Sequence, residues 1–141
     1  MKLSIPMLAL PVGLYNLIAL VSSIAPGVFG SAYDATNRTL FSIPMLAPGT
    51  SLALTLGHLV LLVGLVTLFF ELINSTSSTN KALLGDAITL VLFVVCLIEF
   101  LLLAPFATAT FFLLTVMVLM DSVAGFIVSA VSARKDIAFG N

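Results

Sequence analysis

Two carboxylates, Glu99 and Asp121, stand in stretches that otherwise read as hydrocarbon-facing helix. The runs LVLFVVCLIEFLLLA and FFLLTVMVLMDSVAGFIVSAV are joined only by the Ala104-Pro105 corner, so they must lie antiparallel, and each carries one acid. A charge in mid-membrane costs at least ~2.5 to 3.5 kcal/mol on insertion scales, so such residues are expected to face a partner, a cavity or another helix. His58 and Glu71 complete the set. At ~1.5 Å per residue, a helix starting at Ser51 puts His58 ~10 Å from one face, and Glu99 lies ~8 Å from that same face. Asp121 is then ~22 Å down and Glu71 ~30 Å, close to the opposite headgroups.

At one level, His58 and Glu99 offer three chemistries. They form a proton relay, half of a metal site, or a structural hydrogen bond that keeps the histidine neutral and oriented, and the last is the favoured reading. One histidine and one cysteine, Cys96, cannot supply a tetrahedral zinc site within a chain, and two axial histidines for haem require a second protomer. A chlorophyll magnesium on His58, with Gly57 leaving space for the ring, is the weakest alternative. No cofactor and no metal is therefore expected. Asp121 has another neighbourhood. Ala124, Gly125, Ser129 and Ser132 form a small, polar stripe, and Gly57 and Gly64 form a possible matching surface. Small residues let helix backbones approach closely in lipid, so packing outranks ion conduction here. Asp121 itself is expected to be protonated or hydrogen-bonded inside the protein, with Thr115 and Ser122 as candidate partners, because no Lys or Arg of the chain shares its depth.

The elements that must position these groups follow from composition. Over 141 residues the chain is 61% hydrophobic and 8% charged, with a mean hydropathy of +1.29. Soluble domains carry about 25% charged residues. The pattern predicts an all-α polytopic membrane protein: one domain over 1–141, with four transmembrane helices at about 5–24, 51–73, 83–104 and 106–131 in an antiparallel bundle. The start resembles a signal peptide but is long enough to span, and is read as the first helix, with Pro6 and Pro11 in its first turns. Tyr15 and Asn16 are expected to hydrogen-bond between helices. Residues 25–50 hold three of the six prolines together with Asp34 and Arg38, which predicts an external loop at the interface or folded over the bundle mouth. Asp86 falls in the first turn of its helix, where the dipole favours a negative charge.

Lys2, Lys81, Arg134 and Lys135 fall on one side of this topology and Arg38 on the other. That distribution places both termini in the cytoplasm. The segment SIPMLA occurs at 4–9 and again at 42–47; an inverted repeat or coincidence in an apolar composition accounts for it, and coincidence is favoured. Asn37-Arg38-Thr39 and Asn74-Ser75-Thr76 match the glycosylation acceptor pattern, which is a weak signal. A net charge of −1 supplies no basic surface for nucleic acid.

The segments TLGHLVLLVGLVTLFFELI, VCLIEFLLL and ATFFLLTVMVLMDSVAGF, about half the chain, resemble a group of small four-helix inner-membrane proteins of Gram-negative bacteria with no assigned activity. The resemblance implies a multi-pass protein of the bacterial inner membrane and rests on Glu71, Glu99 and Asp121. The group carries an acidic residue where this chain has His58. No motif for phosphate binding, nucleophilic catalysis or metal hydrolysis is present, so the expected function is non-enzymatic: an accessory or scaffold subunit whose partners are lipid and other membrane subunits, or copies of itself. The alternative is a small proton- or cation-coupled transporter or channel in which Glu99 and Asp121 are successive stations.

Overall fold

Four longer helices carry the chain, and the computed structural model describes residues 5–75 and 82–138. They are α1 (Ala9–Ile24), α4 (Leu56–Ser75), α5 (Ala82–Leu102) and α6 (Ala109–Ala138), and between the first two lie α2 (Pro26–Phe29), α3 (Ala32–Asn37) and the strands β1 (Thr39–Pro44) and β2 (Ser51–Thr55). Three of them contain windows apolar enough to cross a membrane: Leu56–Asn74, Gly85–Leu102 and Ala109–Val131, with mean hydropathies of 2.3, 2.4 and 2.3.

The first helix departs from expectation. Met7 and Leu8 form a turn, with the Ala9 N–H donating to Pro6 O at 3.0 Å, so α1 begins at Ala9 and keeps 16 residues. That is ~24 Å of helix, short of a ~30 Å hydrocarbon core. Pro11 sits in its first turn, where the missing N–H breaks no helical bond. The helix stops at Ile24 because Pro26 disfavours helical geometry at Ala25, and the chain bends by 107° into Pro26–Asn37. Among the described residues three helices are thus long and apolar enough to cross a membrane, or four if the bent pair counts as one span.

Residues 25–55 are structured throughout much of their length. Ser31 caps α3: its hydroxyl accepts from the Asp34 N–H at 3.2 Å while the Asp34 carboxylate accepts from the Ser31 N–H at 2.9 Å, a reciprocal box. β1 and β2 then pair antiparallel, with Ser42 opposite Ala53 and an irregularity between Thr39 and Phe41. The turn is Ala47-Pro48-Gly49-Thr50, closed by the Thr50 N–H on Ala47 O at 3.2 Å. Proline at its second position and Gly49 at φ +75° at its third suit a type II turn. Residues 51–55, expected to open a helix, are the second strand instead. A short apolar run does not by itself distinguish strand from helix, and Thr55 is the residue that caps α4, its hydroxyl accepting from the His58 N–H at 3.2 Å.

At the same end, the corner after α5 is longer than the expected two residues. A 3-10 turn at Ala104–Phe106 intervenes, and α6 begins only after Thr108, whose hydroxyl accepts from the Phe111 N–H at 3.2 Å. The helices meet around α4 and α6. Tyr15, Phe106 and Phe111 form an aromatic group with centroids 4.8 to 5.7 Å apart, and Leu114 and Val118 are fully buried beside it. α5 packs on α6. Of the basic residues, Arg38 ends α3, Lys2 and Lys81 lie outside the described residues, and so do the side chains of Arg134 and Lys135. Ser4 of the first SIPMLA segment and Thr76 of the second glycosylation pattern also lie outside the described residues.

Candidate intramembrane polar site

His58 is placed by the hairpin. Because β2 takes residues 51–55, His58 is the third residue of α4, exposed, and its Nδ1 accepts the Thr55 N–H at 3.2 Å. The Thr55 hydroxyl takes the His58 N–H in return, so the imidazole closes a capping box at the helix start. Counted from the helix start at Leu56, it stands in the first turn and not seven residues along. Glu99, half-buried on α5, has a different partner: Asn16 Nδ2 of α1 donates to its Oε2 at 3.3 Å and also to Val12 O at 3.2 Å. The structure therefore gives His58 and Glu99 separate partners instead of one shared bond.

At the opposite end of the bundle, three acids from three helices come together. Glu71, in the last turns of α4, accepts the Leu8 backbone N–H at 3.1 Å, and the Met7 amide also points to its carboxylate. Those amides belong to the turn that leads into α1, so Glu71 ties the entry of α1 to α4. Asp86 of α5 accepts the Ser129 hydroxyl of α6 at 2.6 Å. Asp121 of α6 is buried, with 6% of its surface exposed, and has Glu71 and Asp86 as its acidic neighbours. Among the described residues no hydrogen bond joins it to Thr115 or Ser122. Thr115 instead donates to Phe111 O at 2.9 Å.

Close approaches of the backbones set these positions. A Cβ at Gly57 would lie 2.6 Å from Thr110 Oγ1 and 3.0 Å from the Thr36 carbonyl, where α4 meets α6 and α3. At Gly64 it would lie 2.9 Å from Leu114 and 3.1 Å from Met117 of α6. Gly125 faces the Asp86 carboxylate, which a Cβ would overlap, and half-buried Ala124 precedes it. The small stripe of α6 thus meets α5 through Gly125 and Ser129, and the glycines of α4 meet α6 through other residues.

Two ties were missed by sequence reasoning, Asp86 with Ser129 and Glu71 with the start of α1. The first had a signal, since Gly125 and Ser129 are four apart and leave room beside a polar hydroxyl for an acid. The second had none, because its donors are backbone amides. Tyr15 and Asn16 both bond between elements: the Tyr15 hydroxyl donates to Pro105 O at 3.1 Å and pairs with Thr108 Oγ1. Among the described residues no three His, Cys, Asp or Glu side chains are grouped to hold a metal ion. No family model, no curated protein and no solved structure matches this chain, so the resemblance to small inner-membrane proteins gains no support from them.

Proposed function

We propose that this chain is a non-enzymatic accessory or scaffold subunit of the bacterial inner membrane, packing against a larger membrane complex or against copies of itself, with both termini in the cytoplasm. One observation carries the reading: Asp86 and Glu99 each hydrogen-bond a side chain on another helix and Glu71 the turn that leads into α1, so their acceptor capacity serves attachment between elements. Carboxylates bound in this way hold a framework together. α5 adds support, since only 11% of its spanning window is buried within the chain, leaving a broad apolar face for lipid or another subunit. Crosslinking in native membranes followed by purification in mild detergent tests it. A discrete oligomer or a co-purifying membrane protein is expected; a monomer with no partner overturns it. Single cysteines at Ser31, Ser77 and Asn141 in a Cys96→Ala background test the topology, with labelling from outside expected only at Ser31.

Asp121 favours a second reading. It is the buried acid among the described residues with no hydrogen bond, and Glu71 and Asp86 stand near it, an arrangement suited to passing a proton or cation between stations. Proteoliposome flux driven by a pH gradient, abolished by Asp121→Asn and reduced by Glu99→Gln, is the expected outcome for a transporter. No flux of any cation tested, or flux unchanged in both variants, removes it.

A further inference from the structure

The β1–β2 hairpin has two unlike faces. In an antiparallel pair, opposed residues project to the same side, and successive residues along a strand alternate between sides. Phe41 is opposed by Leu54 and Ile43 by Leu52, so these four side chains form one apolar face; Ser42 with Ala53 and Pro44 with Ser51 form the other. Leu40 falls at the irregularity, outside this alternation. Such a pattern ordinarily lays the apolar side on a core. Here β1 is exposed along its whole length and β2 from Ser51 to Ala53, so the helices of the chain do not cover that side.

Position, charge and size say what does. β2 ends at Thr55, and the window of α4 apolar enough to cross a membrane begins at the next residue, Leu56, whose N–H donates to Arg38 O at 3.1 Å. The base of the hairpin is thereby fixed at the level where α4 enters a bilayer, and exposed Arg38 stands there for the headgroup phosphates to meet. No Lys, Arg, Asp or Glu occurs from Thr39 to Thr55, so nothing in the hairpin resists leaving water. At ~3.4 Å per residue and ~4.8 Å between strands, its face measures only ~17 Å by ~10 Å. A stable contact with a second copy needs about 800 Å² from each partner. Lipid, being fluid, needs no such matching surface. Depth is limited too, because each strand of a two-stranded sheet keeps one free edge, and open edges are not tolerated in hydrocarbon. Among headgroups, water serves those amides.

We infer that the hairpin lies along the bilayer surface, with Phe41, Ile43, Leu52 and Leu54 set into the headgroup region and Ser42 and Ser51 facing water. This rests on α4 crossing the membrane and is independent of the scaffold reading.

The chain contains no tryptophan, so single tryptophans report without background. The full-length protein is placed in vesicles of phosphatidylethanolamine and phosphatidylglycerol containing phosphatidylcholine brominated either near the ester end or near the methyl end of its acyl chains. Phe41→Trp is expected to emit to the blue of Ser42→Trp and to be quenched more by the shallow bromine than by the deep one. Leu52→Trp, on the same face, is expected to match it, whereas Ser42→Trp answers mainly to aqueous acrylamide. Val94→Trp, on the exposed side of α5, is the control for membrane crossing and is expected to be quenched most by the deep bromine. Equal behaviour of Phe41→Trp and Ser42→Trp overturns the proposal. So does a Phe41→Trp shielded from bromine and acrylamide alike, the result for a face covered by protein. Val94→Trp untouched by either bromine removes membrane crossing and the proposal with it; Val94→Trp quenched while Phe41→Trp answers only to acrylamide removes the proposal alone.

Discussion

The helical core and the β-hairpin use apolar residues in opposite ways. In α4 and α6 one set of apolar side chains is buried: Val60, Leu68, Leu114 and Val118. In the hairpin, Leu54 apart, they stay exposed. Every residue of β1 is exposed, Leu46 in the turn is fully so, and no Lys, Arg, Asp or Glu occurs between Thr39 and Thr55. A two-stranded hairpin is marginally stable alone. The difference teaches that apolarity in this chain signals the surrounding solvent as much as an interior. Hydropathy therefore locates elements that touch lipid or interface without saying which of them touch each other.

That comparison can be broken first at Gly57. Gly57→Val drives a side chain into the Thr36 carbonyl and Thr110, and backbone cannot yield as a side-chain tip does. A loss of about 1 to 3 kcal/mol is expected in a detergent-denaturation titration. Gly64→Ala meets only the ends of Leu114 and Met117 and is expected to cost less; equal losses would show that close packing does not separate the two sites.

Tyr15→Phe is next. It leaves Pro105 O without its donor and loosens the corner that joins α5 to α6, at an expected cost of about 0.6 to 1.7 kcal/mol, the range of hydrogen bonds measured between membrane helices. Asn16→Leu, which releases Glu99, belongs in the same range.

The hairpin should respond least. Leu46→Ser is expected to change stability by less than about 0.5 kcal/mol, since the residue packs against nothing in the chain. The same variant should weaken attachment of the hairpin to a lipid surface, read as increased fluorescence accessibility of a probe at Thr50. A large loss of stability would mean that the hairpin is held by the core after all.

The link between the two regions is sensitive to acid. The Ser31 hydroxyl and N–H hold the Asp34 carboxyl below the ordinary aspartate range. Asp34 is more acidic folded than unfolded, so its capping contribution is complete above the unfolded value of about 3.9 and is lost as pH falls further, through the lowered folded value. Amide exchange in α3 should rise only below that range. Ser31→Ala should raise it at neutral pH.

How much of this was legible is clearest at particular residues. The three apolar windows were visible because a membrane helix satisfies its own backbone, so hydropathy alone suffices to mark it. Pro26 and the polar residues around it marked the break after α1. Ser51 was mistaken for a helix start because Leu52, Ala53 and Leu54 suit a strand or a helix equally, and only the pairing with β1 decides between them. The displacement of His58 from depth followed from that error. Glu99, by contrast, was rightly placed near the corner, but its partner Asn16 is 83 positions away and no local spacing points to it.

The hold of Glu71 on the Leu8 amide spans 63 positions, and that distance has a consequence in time. When α1 leaves the ribosome, the acid that will hold the turn before it has not been synthesised. Water or headgroups must serve those amides meanwhile. The arrival of α4 brings Glu71 to them and exchanges that temporary solvation for a fixed attachment, so α1, made before α4, is fastened only after it.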